Sequence, residues 1–470
     1  MAGQCSKTSY VWPKPLKTFE EVESELAHDI KVKIAGIDLT GILRGKVISK
    51  EKFLSCVKHG SLGFCSVVFG WDLHDVPYQP SSKYASNDNG FADLQAKIDL
   101  STFRRIPWES DLPFFLVDFY LTEDEPLAVC PRNLLKSQLK HLANLGLEPQ
   151  CGVEFEWFNF KETPQSLAEK DGKPTSLTPG MFGYSVLRPS LNQNYFDDIF
   201  NECKKFGIDV EGLHTETGPG VFEAALSYKP AMRMADNAVL FKTSVKQIGL
   251  RHGVIASFMA KPFAHLPGCS GHMHFSLKDI ASGSNAFAGD SNGISAIVEQ
   301  FIAGVVVAFP SIMPILAPTI NSYKRLVENY WAPVKVSWGI ENRLAAIRVI
   351  APPTCAPAST RIEVRVPGAD INPCLVMSAI LAAGYYGISQ RLANPLNALQ
   401  TGESLAEYPG ENLPKSLKAA TELMAAKDSL ARCILGDEFV DHYALACRNE
   451  VAKWENAVTD WELKRYMELV

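Results

Sequence analysis

The sequence predicts an α+β protein with a small, mainly β N-terminal unit and a larger mixed unit, and three observations carry that prediction. Runs of alternating apolarity dominate up to residue 121, strand-like and helix-like runs then alternate irregularly, and no repeat or regular βαβ rhythm links them. The 470-residue chain is 46% hydrophobic and 21% charged, with 29 Pro and 32 Gly, so it can bury a large core and lacks the bias of a disordered or collagen-like chain.

Lys31 to Ser49 alternates on either side of Leu39-Thr40-Gly41, the pattern of two strands and a turn. Phe64 to Phe69 and Phe114 to Leu121 also read as strands, and the polar stretch from Ser81 to Asp93 between them reads as an exposed loop. Thr122 to Pro126 separates a unit at 25–126 from one at 127–470, because Pro131 then opens a helical pattern that runs to Leu145. Beyond it strands are expected near 151–160, 221–228, 254–260, 270–277, 344–350 and 361–366. Helices are expected near 194–206, 230–252, 294–309 and 373–391, and the C-terminal part is helical in character.

Forty-six Lys and Arg against 52 Asp and Glu leave a net charge of −6, which gives no field for gathering polyanions, and no basic cluster interleaves with aromatics; no nucleic-acid partner is expected. The 11 cysteines are scattered with no Cys-x-x-Cys pair and read as reduced thiols. The N-terminus has no apolar signal core and is too acidic for a transit peptide, so a cytoplasmic protein is expected. Phe301 to Ile320 is uncharged and long enough to cross a bilayer. Pro310, Pro314 and Pro318 argue instead for a buried helix ending near Phe309, with no membrane span.

Four segments carry chemistry. In Cys151 to Phe160 the strand period puts Val153, Phe155 and Trp157 on one face and Glu154 and Glu156 on the other. Gly218-Pro219-Gly220 forces a turn that folds Glu216 toward Glu223, and like charges brought together invite a hard cation. His272 and His274 share a face while Met273 and Phe275 point to the core. Arg361, Glu363 and Arg365 line one face of a strand whose other face is Ile362, Val364 and Val366, and Arg325, Arg343 and Arg348 add guanidiniums suited to phosphate or carboxylate. Each segment alone is compatible with a solvated face or an ion-pair network. Together they point to one anionic ligand held with divalent metal, with nucleotide phosphate as the natural candidate, although no Walker A or kinase glycine loop is present.

In this order the segments resemble the glutamine synthetase family, class I type, and in character its γ-glutamyl-amine ligase members. The resemblance rests on Val153–Phe158, the Glu216–Glu223 turn, Gly271–Leu277, Asn321–Leu326, Asn342–Arg348 and Arg361–Gly384. It implies a β-grasp N-terminal domain, a glutamine synthetase-type α+β catalytic domain, and homo-oligomers of stacked rings, decameric or dodecameric. It further implies two Mg or Mn ions, ATP as co-substrate, and glutamate or a similar amino acid joined to an amine. By motif, Glu156, Glu216 and Glu223 resemble the ligands of one metal and Glu154, His272 and Glu363 those of the other. Glu211, His274, Ser276, Arg343, Arg348 and Arg361 resemble the ATP side, and Gly268, Arg325 and Arg365 the amino-acid side, with Arg343 also counted as catalytic.

The departures bear on substrate. Trp331 stands where glutamine synthetases carry an acid that binds and deprotonates ammonium, and an aromatic face attracts organic cations. Glu328 is offset from that position and is not given the role. Pro267 and Val221 replace side-chain amides near the substrate, and Asp72, in Phe69-Gly-Trp-Asp72, is a candidate to reach a neighbouring subunit's amine site. The expectation is an ATP-dependent ligase forming a γ-glutamyl amide from an organic amine; the alternatives are an authentic glutamine synthetase and a non-catalytic structural member of the fold.

Overall fold

The computed structural model describes residues 15–289, 293–328 and 331–470. Part of the N-terminal stretch read for targeting signals, and Asn329-Tyr330 of the motif around Trp331, lie outside the described residues.

The N-terminal part forms a five-stranded sheet from β1 (Lys31–Ile37), β2 (Leu43–Ser49), β3 (Leu62–Cys65), β4 (Asp93–Ile106) and β5 (Leu112–Tyr120), in the order β2-β1-β5-β4-β3. β1 runs parallel to β5 and every other neighbouring pair is antiparallel. The β1–β2 turn is held by Asp38, whose carboxylate accepts from the backbone N–H groups of Thr40 and Ile42, while Gly41 supplies a φ of 85°. Two expectations need correction. The strand expected at Phe64–Phe69 ends at Cys65 and continues as a 3₁₀ turn, Ser66–Phe69. β4 was not expected, because the register shift between Asp99 and Arg104 interrupts the alternation that would have marked it.

The second sheet contains β6 (Leu147–Phe160), β7 (Val210–Thr215), β8 (Val221–Pro230), β9 (Ile255–Ser257), β10 (Gly271–Asp279), β11 (Trp338–Ile340), β12 (Ile347–Ile350) and β13 (Arg361–Val364). Its order is β11-β12-β13-β10-β6-β8-β7, with β9 paired to β6. One face is apolar: Phe155, Trp157, Met273, Phe275, Ile362 and Val364 are fully buried, and the helix Ala231–Arg251 lays Phe241 against Phe155 and Trp157. Behind it the helices Ala296–Leu316 and Pro373–Ser389 approach closely through glycine, since a Cβ on Gly304 would lie 2.1 Å from the Ala383 carbonyl oxygen.

The helix expected to stop near Phe309 runs through Pro310 and Pro314 to Leu316. Burial on most of its surface outweighs the two lost donors, and the Tyr443 hydroxyl donates to the Pro314 carbonyl (3.0 Å). It is long and apolar enough to cross a membrane, yet two thirds of its apolar window (67%) is buried inside the protein. The ten cysteines among the described residues are free.

Candidate active site

Antiparallel pairing brings directly opposite residues to one face, and the register of the second sheet writes the polar face strand by strand. Arg348 on β12 pairs with Glu363 on β13, Glu363 with His274 on β10, and His272 on β10 with Glu154 on β6. Farther along, Glu156 on β6 pairs with Glu223 on β8, and Glu223 with His214 on β7. Six strands thus deliver carboxylates, imidazoles and guanidiniums to one surface while their alternate residues fill the core.

The side chains gather into two groups. In the first, His274 Nε2 lies 3.1 Å from Glu154 Oε1, and His272 Nδ1 lies 3.3 Å from Glu363 Oε1 and 3.7 Å from Glu154 Oε2. Arg348 reaches Glu363 Oε2 at 3.1 Å, and Arg365 contacts its other oxygen. In the second, His214 Nε2 lies 3.1 Å from Glu223 and 3.6 Å from Glu216, and the Glu156 carboxylate accepts from the Ser270 N–H (2.5 Å). Tyr184 stacks on the His214 ring at 4.5 Å and 9°.

The charges are under strain of a specific kind. Burial, with the charge of Glu223 beside it, pushes the Glu156 carboxyl upward toward the neutral form. His214, held by Glu216 and Glu223 against its own desolvation, rises to about 9. Burial would raise Glu154 as well, but contacts with His272 and His274 outweigh it and hold it well below the usual carboxylate range. Glu363 is likewise held low, with His272 and Arg365 overcoming burial.

These residues fit divalent cations. Glu154, His274 and Glu363 offer three donor atoms within 4.8 Å of one another, and so do His214, Glu216 and Glu223. The Nε2 atoms of His214 and His274 are buried and, although 3.1 Å from carboxylate oxygens, lack the alignment of a hydrogen bond. Hard oxygen donors, an imidazole and a carboxylate driven toward neutrality are what a cation between them would relieve.

The other predicted site residues are placed less uniformly. Ser276 follows His274 on the same face of β10. Arg361 donates from Nε to His274 Nδ1 at 3.4 Å and from Nη1 to the Ser359 carbonyl at 3.0 Å. Arg343 is exposed on the turn between β11 and β12, where its charge acts on Tyr184. Arg325 is buried and directs its guanidinium to the carbonyls of Arg365, Val366 and Pro367, and it packs so tightly on Gly268 that a Cβ there would meet its Cγ at 2.8 Å. Glu211 is exposed where the register of β7 shifts against β8. Asp72 joins neither group: its carboxylate binds Lys453 and accepts from the N–H groups of His74 and Val76. Trp331 is 73% exposed on a loop with a φ of 58°.

Three neighbours of the site were not read from the sequence. His214 stands two residues before Glu216 in a short strand, so the strand period would have found it. Glu341, which bonds Arg348 at 2.7 Å, sits on a turn at φ 53°, and Tyr184 sits in a loop, so neither carries a periodic signal.

The sequence model of the glutamine synthetase catalytic domain matches residues 128–466, and every paired residue of the polar face falls within that span. The chain belongs to the glutamine synthetase family. It is 46% identical over 445 residues to "Type-1 glutamine synthetase 2" of Dictyostelium discoideum, covering 93% of this chain and 84% of that protein. It is 33% identical over 444 residues to "Glutamate--isopropylamine ligase" of Pseudomonas sp, covering 93% and 95% of the two chains. It is 35% identical over 441 residues to "Gamma-glutamylethanolamide synthetase GlnA4" of Streptomyces coelicolor, covering 93% and 92%. Among solved structures, a GmaS/ADP complex superposes with a TM-score of 0.82 at 28% identity, covering 96% of this chain and all (100%) of that one. The protein is therefore an ATP-dependent ligase of the glutamine synthetase family, whose members use Mg or Mn and join glutamate to ammonia or an amine.

Proposed function

We propose that this family member forms a γ-glutamyl amide from glutamate and an organic amine through a γ-glutamyl phosphate. The observation that carries the reading is Trp331. An exposed indole occupies the turn where the family resemblance calls for an ammonium-binding acid, and an aromatic face favours an amine with an alkyl body over a small hydrated ion. Two relatives whose names specify an organic amine add support.

In this reading Glu156, Glu216 and Glu223, and Glu154, His272 and Glu363, hold the divalent ions, with His214 and His274 adjoining them. The ions, when bound, supply the positive charge that offsets the phosphates of ATP. Arg343, Arg348 and Arg361, with Glu211, His274 and Ser276, orient the nucleotide, and Gly268, Arg325 and Arg365 define the amino-acid side. Stabilising the transferring phosphoryl group and keeping water from the acyl phosphate carry the rate. We further read the N-terminal sheet as a β-grasp domain ending near residue 126, and the assembly as stacked rings in which Asp72 serves a neighbouring subunit.

Phosphate release by purified enzyme with ATP, Mg and glutamate, compared across ammonium, ethylamine, isopropylamine and ethanolamine, tests the reading. At least tenfold higher kcat/KM for one organic amine than for ammonium is expected. Preference for ammonium would overturn it.

A further inference from the structure

A cavity of about 550 Å³ lies apart from the polar sheet face, between the β1–β2 turn, the helix Ala231–Arg251 and the helix Asp437–Glu455. Its volume is that of a small-molecule site. The walls are largely apolar, with Leu39, Ile42, Phe258 and Met259 among them, and none of the acids or histidines of the two candidate metal groups lines it.

Its charged residues are sorted by position. Lys242 and Lys246 lie one helical turn apart, on one face of a helix, and both open onto the cavity. The Lys242 ammonium donates to the Ile371 carbonyl (2.8 Å) and sits 5.5 Å above the Phe258 ring; the Lys246 ammonium sits 5.8 Å above the same ring. Among the described residues neither has a carboxylate in ion-pair contact. Asp370, the acid whose charge acts on Lys242, gives one oxygen to the hydroxyls of Thr319 (2.8 Å) and Ser322 (2.6 Å). Asp72 is taken by Lys453, and Glu450, which also lines the cavity, has its carboxyl pushed upward toward the neutral form by burial and the charge of Asp72. Burial lowers the affinity of Lys242 for its proton to about 7, with the charge of Lys246 adding to it, and partial desolvation lowers that of the more exposed Lys246 as well.

Two like charges at i and i+4 repel, and for Lys242, the half-buried one of the two, burial increases the penalty of leaving its charge uncompensated. An anion between them removes both penalties at once, and an apolar body attached to it would fill the space beside Phe258. We propose that this cavity binds a small organic carboxylate with an apolar chain, its carboxylate between Lys242 and Lys246 and its chain along Phe258, Leu39 and Ile42. Lys242 also lies 5.4 Å above Phe155, the residue between Glu154 and Glu156, so the occupied cavity backs directly onto the strand of the polar face.

Asp72, read above as serving a neighbouring subunit's amine site, also lines this cavity, so calorimetric titration of the full-length protein in EDTA, without nucleotide or amine substrate, is what keeps the two questions apart. Hexanoate is expected to bind saturably at one site per chain, acetate at least tenfold more weakly, and hexylamine not at all. Lys246→Gln should weaken hexanoate at least tenfold by removing one charge. Ala446→Phe, on the cavity wall, should abolish binding by occupying the space, with thermal unfolding confirming that each variant is folded. Absence of saturable hexanoate binding, equal binding of hexylamine, or hexanoate binding unchanged in both variants would overturn the assignment.

Discussion

Two buried charged regions of this protein are built on opposite terms. Where the N-terminal sheet meets the catalytic unit, Arg132 is almost fully buried, yet it faces Asp99 on β4, Asp118 on β5 and Asp236 on the helix Ala231–Arg251, at 2.9 Å to both Asp99 and Asp236. Lys136 adds a second cation to Asp99 and Asp118, so nearly every donor has an acceptor. On the polar face of the second sheet Glu363 has Arg348 and Arg365, but Glu156 is paired across strands with another acid, Glu223, and His214 and His274 face carboxylates without hydrogen-bond alignment. The first arrangement is complete within the chain and acts as a clamp. The second becomes complete only when something positive enters, which is the physical difference between a structural ion network and a binding site.

Removing one member from each region should therefore give different losses. Glu363→Ala is expected to reduce turnover on the order of 10³-fold or more, because it deletes a carboxylate proposed to hold metal and leaves Arg348 and Arg365 short of a partner. Phosphate release and Mn titration check this, and near-normal activity would refute the site. Arg132→Met should destabilise the fold by about 3–5 kcal/mol, since three buried aspartates lose their shared cation. Denaturant unfolding measures that loss, while Mn affinity in the surviving folded protein should stay within about twofold. A loss below about 1 kcal/mol would mean that the interface charges relax into solvent and the contrast between the regions is false.

A third contact sharpens the picture through pH. His442 on the helix Asp437–Glu455 is buried against the N-terminal loop, with Nδ1 3.1 Å from the Ser82 hydroxyl and the rings of Tyr78 and Tyr84 edge-on to it. Burial, with the nearby Lys83 ammonium, lowers its pKa to about 4. Because the folded value lies below the unfolded one near 6.5, the stabilisation is complete above pH 6.5 and is lost as pH falls toward 4. The loss across that window is roughly 2–3 kcal/mol, since each pH unit between the two values contributes about 1.4 kcal/mol. His442→Gln should flatten the wild-type decline in unfolding free energy between pH 6.5 and 4, measured in EDTA. An equally steep decline in the variant would assign the acid sensitivity to other groups.

The sequence made one half of the polar face legible and hid the other. Strict alternation placed Glu154, Glu156, His272, His274, Glu363 and Arg365 on correct faces, because the strand period fixes direction without any tertiary knowledge. Which carboxylate meets which imidazole depends on register between strands far apart in the chain, and this places His274 as well as His272 against Glu154. The same limit hid β4, whose bulge breaks the alternation, and the full length of the helix Ala296–Leu316, where packing overrides proline. The clamp was invisible for a related reason. Arg132, Asp118 and Asp236 are single charges in apolar stretches whose meaning lies only in their mutual distance.

Trp331 belongs to neither region, and its replacement is expected to have the smallest effect on the molecule and the most specific one on its chemistry. The side chain is largely exposed, so Trp331→Glu leaves the core, the clamp and the paired residues of the polar face untouched. A carboxylate there attracts ammonium and can take its proton, whereas the indole it replaces offers contact area to an alkyl group. The ratio of kcat/KM for ammonium to that for the preferred organic amine should rise about tenfold, equivalent to about 1.4 kcal/mol, with KM for ATP unchanged. If the ranking of amines in the variant matches that of the wild type, acceptor choice resides in another group, and Tyr184, stacked over His214 beside the second acidic group, is the next residue to exchange.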